Sequence, residues 1–299
     1  MALTKHPIAD LIARRGGLVI DGAMSTPLEA AGLNLNDTLW SAKALLECPD
    51  LVRKVHYDYY AAGANAVEAC SYQATEAASA RKGIEKAEAS RLIRLSGELV
   101  REAKNDALLE HPEWDPADLL TAGSIGPYGA YLADGSEYTG AYNLTREEYY
   151  AFHQLRLDEL LNSGMDILAI ETQPRFDEIE ALLAMIADRD ITCWVTVTLK
   201  DGDMPDGTKL EVLAKCLDAD PHVEAFGFTC VKREWVEPGL KRLSAYTDKP
   251  LVVYPNSGET YDPTTKTWHA QGVHEPDWNH YVPLWEHTGA RCIGGCCRT

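Results

Sequence analysis

The sequence predicts an α/β fold in which eight parallel β-strands close into a single barrel with helices around it. Short β-branched or apolar runs recur eight times, with segments of helical spacing between them, which is the pattern of a parallel sheet. Several runs are almost continuously apolar, as strands covered on both faces are. The 299 residues, 45% of them hydrophobic, suffice for one domain with a large core, over residues 1–299. We therefore predict a (β/α)8, or TIM, barrel.

The eight strands follow from the apolar runs in chain order. We place them at residues 17–23, 64–72, 120–126, 166–172, 192–199, 223–230, 251–256 and 291–296. Two of the intervening segments carry apolar residues at helical spacing, and these helices would cover the outside of the barrel. The residues are Leu51, Val52, Val55 and Tyr59 in the first segment, and Phe176, Ile179, Leu182, Leu183 and Ile186 in the second. We expect no outer helix after the eighth strand, because the sequence ends at Thr299.

Composition and charge exclude several classes of protein. A formal net charge of −18 argues against binding to nucleic acid or to anionic membranes. No stretch approaches the roughly 20 apolar residues that a membrane span needs, and the first residues lack the features of a signal peptide. We therefore expect a cytoplasmic protein. Its eight cysteines are then better explained as reduced thiols or metal ligands than as disulfides.

Three of the cysteines, Cys230, Cys296 and Cys297, lie where predicted strands end. Their wide separation rules out a local zinc knuckle, and three thiolates leave a fourth tetrahedral position open, as in a catalytic zinc site. Adjacent strand residues point to opposite faces, so the last two can share one ion only where the backbone turns, which Gly294 and Gly295 permit. The other cysteines are predicted to be inert packing residues: Cys48, Cys70, Cys193, Cys216 and Cys292.

Unusual polar residues also cluster at the predicted strand ends. In a barrel of this type the chemistry lies at the carboxyl ends of the strands. The longest irregular stretch, residues 127–143, is rich in Gly and Tyr and is expected to be a loop that faces the substrate. The polar residues at or just beyond strand ends are Asp21, Gln73, Glu171, Thr198, Cys230, Asn256 and Cys296.

Several motifs together give the chain a family resemblance. They include DGAMSTPLE at residues 21–29, SYQAT at 71–75, GSIGPYG at 123–129, VYPNSGE at 253–259 and GGCCR at 294–298. With these motifs the chain resembles the homocysteine S-methyltransferases along nearly its whole length, and within them the short enzymes that use S-methylmethionine. The resemblance implies a Zn²⁺ ion bound by Cys230, Cys296 and Cys297. It also implies methyl transfer from a sulfonium donor, S-methylmethionine or S-adenosylmethionine, to homocysteine, giving methionine. Thr229 departs from the family, which usually has Asn before the first of these cysteines.

The resemblance also suggests roles for the other candidate residues. Glu171, and next Asp21, would bind the ammonium group of homocysteine, although either could instead cap a helix. The backbone of Gly22 and Ala23 and the side chain of Asn256 would receive the carboxylate, and Gln73 is a further substrate-binding candidate. The candidates for an aromatic wall around the sulfonium group, and for the donor pocket beside it, are Trp40, Tyr72, Tyr128, Trp268 and His269.

Three alternatives remain open at this point. A zinc-binding or thiol-redox barrel without catalysis would agree with Thr229 and with the early end of the chain. Selenocysteine is a possible acceptor, because a selenolate would bind at the same open position. Betaine as the donor, or a cobalamin-dependent module, is disfavoured because those enzymes carry extra segments or partner domains. The sequence indicates neither the preferred donor nor the oligomeric state.

Overall fold

A computed structural model describes residues 5–35, 39–257, 260–262, 267–269 and 277–299. Eight parallel strands are hydrogen-bonded in the order β1-β10-β7-β6-β5-β4-β3-β2, and a bridge between Ile20 and Ala66 joins β1 to β2. The predicted (β/α)8 barrel is therefore confirmed. Its strands are β1 Leu18–Val19, β2 Ala66–Glu68, β3 Leu120–Ile125, β4 Ile167–Gln173, β5 Cys193–Val197, β6 Val223–Thr229, β7 Leu251–Tyr254 and β10 Ala290–Ile293.

Each of the eight predicted strands overlaps one observed strand, and the observed strands end earlier than predicted except β4, which extends to Gln173. The difference is largest in β1, which ends at Val19 rather than at Ala23, and in β2, which ends at Glu68 rather than at Tyr72. There the Ser71 amide donates to the Ala69 carbonyl oxygen at 2.7 Å, so the chain turns away from the sheet. Several predicted strand ends are thus loops that enclose the mouth of the barrel.

A small antiparallel hairpin, β8 Thr260–Asp262 with β9 Thr267–His269, lies between β7 and β10 in the sequence and was not predicted.

The helices that surround the barrel pack on a continuous apolar core. No helix among the described residues is long and apolar enough to span a membrane. The helices are α1 Pro7–Arg15, α2 Ser25–Ala30, α3 Ala44–Glu47, α4 Pro49–Ala61, α5 Glu76–Arg81, α6 Lys86–Glu110, α7 Tyr128–Leu132, α8 Ser136–Thr139, α9 Arg146–Asn162, α10 Phe176–Ile186, α11 Leu210–Ala219, α12 Arg233–Leu243 and α13 Trp278–His287, with short 3₁₀ turns at Trp40–Lys43 and Pro116–Asp118.

Helix α1 closes the amino-terminal end of the barrel. Ile8 and Leu11 are fully buried and belong to the same core cluster as the inward-facing strand residues. The Ala9 amide donates to Glu224 Oε2 at 2.9 Å, at the start of β6. Since this end is plugged, ligands can enter the barrel only from the carboxyl ends of the strands.

The last strand is followed by irregular chain rather than by a helix. Residues 294–299 contain no helix, and α13 precedes β10. Trp285 of α13 is fully buried in the outer core. The irregular segment turns back over the mouth of the barrel, where it delivers the last two cysteines.

Candidate active site

Cys230, Cys296 and Cys297 meet at the mouth of the barrel. Their Sγ atoms all lie within 4.8 Å of one another, and those of Cys296 and Cys297 are 3.9 Å apart. Cys230 follows β6 with a left-handed φ of 52°, and its amide donates to the Tyr254 carbonyl at 3.3 Å. The Cys296 amide donates to the Pro255 carbonyl at 3.0 Å. Backbone hydrogen bonds to the end of β7 thus hold both sides of the cluster.

Gly294 and Gly295 allow the close approach that the cluster needs. Neither has a positive φ, so conformational freedom is not the reason for glycine here. A Cβ on Gly294 would lie 2.8 Å from the Asp21 carbonyl oxygen and 2.8 Å from Ile20 Cβ, and one on Gly295 would lie 2.3 Å from Thr299 Oγ1. The pair therefore lets the chain after β10 pass directly against the end of β1.

The three thiols fit a tetrahedral metal ion. Zinc–sulfur bonds of about 2.3 Å at tetrahedral angles require sulfurs about 3.8 Å apart, close to the 3.9 Å between Cys296 and Cys297. No other group of potential ligands of this kind was found among the described residues. Hydrogen bonds among the thiols shift their pKa values in opposite directions. Those with Cys230 and then Cys297 lower the pKa of Cys296 well below its usual value, whereas the hydrogen bond with Cys296 raises the pKa of Cys230.

Thr229, the residue that departs from the family pattern, supports the cluster from below. It is fully buried, and its hydroxyl donates to the Tyr254 carbonyl at 3.1 Å while lying 3.9 Å from Cys230 Sγ. A threonine here therefore joins β6 to β7 directly behind a thiol.

A single cavity lies above the thiols and collects most of the predicted site residues. Asn256 is buried, with 8% of its surface exposed, and is not among the residues that line the cavity. Thr198 is also buried outside the lining. The side chains of Trp40, Trp268 and His269 lie outside the described part of the structure. The predicted residues that do line the cavity are Asp21, Gly22, Ala23, Tyr72, Gln73, Glu171, Cys230, Cys296 and Cys297.

Tyr128, which was predicted as part of the aromatic wall, packs elsewhere. Its ring lies against Tyr131, Tyr142 and Phe152, with centroids 4.9 to 5.4 Å apart, and it does not line the cavity. The aromatic side chains that do are those of Tyr72, Tyr138 and Tyr254.

Three carboxylates, from Asp21, Glu68 and Glu171, line one side of the cavity. Asp21 Oδ2 accepts from the Glu68 amide at 3.0 Å. Glu171 Oε1 accepts from the Ser124 hydroxyl, and Glu171 Oε2 accepts from the Tyr254 hydroxyl at 3.4 Å. Burial raises the pKa of Glu171 to about 8. Burial and repulsion from Glu171 also raise the pKa values of Asp21 and Glu68. The group therefore favours a cation, which would restore the charged form of these acids.

Glu68 was missed at the sequence level although it is central to this group. Its Oε1 is buried and has no hydrogen-bond partner. The available signal was the single acidic residue inside the mostly apolar run at 64–72. Because that run was taken as strand throughout, Glu68 was not recognised as the residue at its end. Glu137 and Tyr138, from the loop at 127–143, and Cys70, which was predicted to be inert packing, also line the cavity.

Comparisons with known proteins relate the chain to a single family. The family model described as homocysteine S-methyltransferase matches residues 18–299. Homocysteine S-methyltransferase of Escherichia coli (strain K12) is 48% identical over 98% of this chain and 95% of its own length. A homocysteine S-methyltransferase of Bacillus subtilis (strain 168) is 42% identical over 98% and 94%, respectively. The crystal structure of the metallated form of the Escherichia coli homocysteine methyltransferase matches with a TM-score of 0.88 at 44% identity, covering 98% of this chain and 96% of that one.

Proposed function

The chain belongs to the homocysteine S-methyltransferase family, and from this premise we propose that it is a zinc enzyme that moves a methyl group from a sulfonium donor to the thiol of homocysteine. The product is methionine, and the donor is S-methylmethionine or S-adenosylmethionine. The observation that carries the proposal is the placement of three thiols within 4.8 Å of one another in a cavity that they share with three buried carboxylates. The functional unit is a single domain over residues 1–299.

The thiol cluster addresses the main chemical difficulty of the reaction. A free thiol has a pKa of about 8.5, so only a few per cent of homocysteine is thiolate at neutral pH. A zinc ion held by Cys230, Cys296 and Cys297 would stabilise the thiolate of homocysteine, and a gain of about 1.5 pKa units corresponds to about 2 kcal/mol. Three free thiols require a reducing environment, which agrees with the cytoplasm as the proposed compartment.

The carboxylates account for recognition of homocysteine. Its ammonium group would bind to Glu171 and Asp21, whose raised pKa values reflect burial and mutual repulsion that a bound cation relieves. Gly22 and Ala23, which line the same cavity, would receive the substrate carboxylate through their backbone. The same role for Asn256, which is buried but does not line the cavity, stays a prediction. A substrate held by both ends keeps its sulfur above the thiols.

Methyl transfer itself needs positioning rather than an acid or a base. The homocysteine sulfur forms a bond to the methyl carbon as the bond from that carbon to the donor sulfur breaks, and the donor leaves as an uncharged thioether. The protein contributes alignment of the two sulfurs. The residues lining the described cavity include no Lys, Arg or His, so nothing there repels a sulfonium ion. Tyr72 and Tyr138, together with Trp40, would supply aromatic surface around it.

The proposal is tested by measuring methionine formation with the reduced, zinc-loaded protein, homocysteine and each sulfonium donor in parallel. Zinc content is measured by mass spectrometry on the same samples. Cys296→Ser should lose both zinc and turnover. Cys216→Ser is the matched control, because Cys216 lies on α11, outside the cavity, and it should keep both. Full turnover in Cys296→Ser would refute the proposal, and bound zinc without turnover in the wild type would indicate a barrel without catalysis.

A further inference from the structure

A second group of acceptors lies in the cavity, apart from the three carboxylates. Glu137, on the short helix α8, lines the cavity, and its Oε2 is buried without a hydrogen-bond partner. Gln73 also lines the cavity and is 9% exposed. Its Nε2 donates to the Ala130 carbonyl at 2.9 Å, which fixes the orientation of the amide. The remaining Gln73 Oε1 is buried and unpartnered.

These unpartnered atoms call for a ligand that donates hydrogen bonds. A buried acceptor without a partner costs about 1–3 kcal/mol, and two in one cavity are unusual unless a ligand completes them. The residues lining the cavity include no Lys, Arg or His that could pair with Glu137. A carboxylate and an amide oxygen together match an ammonium group, which has three donors and one positive charge.

A different part of the chain positions the second group, because Gln73 Nε2 donates to Ala130 on α7 and a Cβ on Gly129 of the same helix would lie 2.6 Å from the Glu137 amide nitrogen. Besides burial, repulsion from Glu171 and Cys296 raises the pKa of Asp21. Repulsion from Glu171, Asp21 and Cys296 likewise raises the pKa of Glu68. Glu137 instead raises the pKa of Tyr138, on which Cys230 and Cys297 also act. Both groups line the cavity that contains the three thiols, so each can hold one ammonium group of a substrate bound there.

We propose that Glu137 and Gln73 bind the α-ammonium group of the methyl donor, so that the enzyme selects sulfonium compounds that are themselves α-amino acids. The inference rests on the proposed function and extends it to the donor class. Both S-methylmethionine and S-adenosylmethionine carry this group. A sulfonium donor without it would leave both acceptors unpaired in the complex and would be used poorly.

The test compares Glu137→Gln with the wild type, using the zinc-loaded protein and two donors. The first donor is S-methylmethionine and the second is 4-(dimethylsulfonio)butanoate, which has the same skeleton without the ammonium group. Gln keeps the shape of Glu and removes its charge. We expect the KM for S-methylmethionine to rise about 10-fold or more, since a hydrogen bond to a charged group is lost. The KM for homocysteine and the zinc content should not change. The wild type should use the butanoate poorly, and the variant should use it no worse.

Three further controls keep the result interpretable. Glu147→Gln is the control for loss of one charge, because Glu147 is exposed on α9, and its KM values should match the wild type. Thermal unfolding of Glu137→Gln shows whether the fold is intact, and Glu137→Asp, which keeps the charge on a shorter side chain, provides a second variant. An unchanged KM for S-methylmethionine in Glu137→Gln, or an equal rise in the KM for homocysteine, would overturn the inference.

Failure of the proposed function is distinguishable from failure of this inference. If the wild type turns over no donor, the proposed function fails, and calorimetry of S-methylmethionine binding still tests the site. Binding that weakens about 10-fold in Glu137→Gln supports the inference in that case, and equal binding by both proteins refutes it.

Discussion

Replacing Arg156 with Met should destabilise the protein because this guanidinium joins the two loops that follow β2 and β3. Arg156 lies on α9 and is 1% exposed. It donates to the carbonyl oxygens of Tyr72 and Gly126, both at 2.6 Å, and lies 2.8 Å from His153 Nδ1. Burial lowers its pKa to about 10, so it remains charged at pH 7. Two loops that follow β2 and β3 are thus held by one buried cation.

The expected loss can be worked from these contacts. Met fills a similar volume but leaves two buried carbonyl groups unpaired, at about 1–3 kcal/mol each. It also removes the cation whose charge acts on Glu178, the acid bonded to His153 at 2.8 Å. Breaking a buried charged network of this kind typically costs about 3–5 kcal/mol. We expect Arg156→Met to lower the free energy of unfolding by that amount.

Urea unfolding followed by tryptophan fluorescence measures this change. Arg91→Met is the matched control, because Arg91 pairs with Glu88 on an exposed face of α6, with 57% and 41% of the two side chains exposed, and such pairs contribute about 1 kcal/mol or less. The Arg156 variant should also bind the methyl donor less well, because the Tyr72 side chain lines the cavity. A loss below about 1 kcal/mol, equal to that of Arg91→Met, would refute the assignment.

Three further predictions address stability and recognition. Burial lowers the pKa of His56 to about 3, below the roughly 6.5 of an unfolded histidine, so its contribution to stability is complete above pH 6.5 and falls as the pH drops toward 3. Between pH 7 and pH 4.5, the free energy of unfolding measured in urea should therefore fall by about 2–3 kcal/mol less in His56→Leu than in the wild type. Equal decreases in the two proteins would contradict this. Glu68→Gln should raise the KM for homocysteine several-fold and leave that for the donor unchanged, since its free Oε1 lies in the carboxylate group with Asp21; a change in the donor KM alone would count against it. Gly227→Ala should destabilise by about 3 kcal/mol or more, because the new Cβ would lie 2.0 Å from the Val252 carbonyl oxygen; wild-type thermal stability would show that the strands can separate.

The barrel could be predicted from the sequence because its signal is redundant. Each buried parallel strand produces its own apolar run, so an error at one boundary does not change the count of eight. The hairpin of β8 and β9 has no such redundancy. Its strands are three residues each, which is too short for a periodic pattern to emerge.

The site was predictable where a residue's chemistry identifies it and not where its position depends on tertiary contacts. Two adjacent cysteines after a strand, with a third elsewhere, suggest a metal from residue type alone. Glu68 required the correct end of β2, and strand ends are the least reliable part of such predictions. Glu137 lies on α8, within the stretch 127–143 that the sequence predicts to be an irregular loop. Packing sets the path of this segment, since a Cβ on Gly129 would lie 2.6 Å from the Glu137 amide nitrogen. No local pattern places that loop over the thiols.

The acidic lining of the cavity has consequences for rate as well as for binding. The donor enters with a positive sulfur and leaves uncharged, so negative groups near the sulfur stabilise the starting state more than the transition state, where that charge is disappearing. Fully ionised carboxylates would therefore slow the transfer that they help to assemble. The raised pKa values of Asp21, Glu68 and Glu171 limit this penalty. Acids that ionise only when they pair with a bound ammonium group add little net negative charge near the sulfonium. Burial of these carboxylates can thus combine selection of cationic substrates with a modest negative potential at the reacting sulfur atoms.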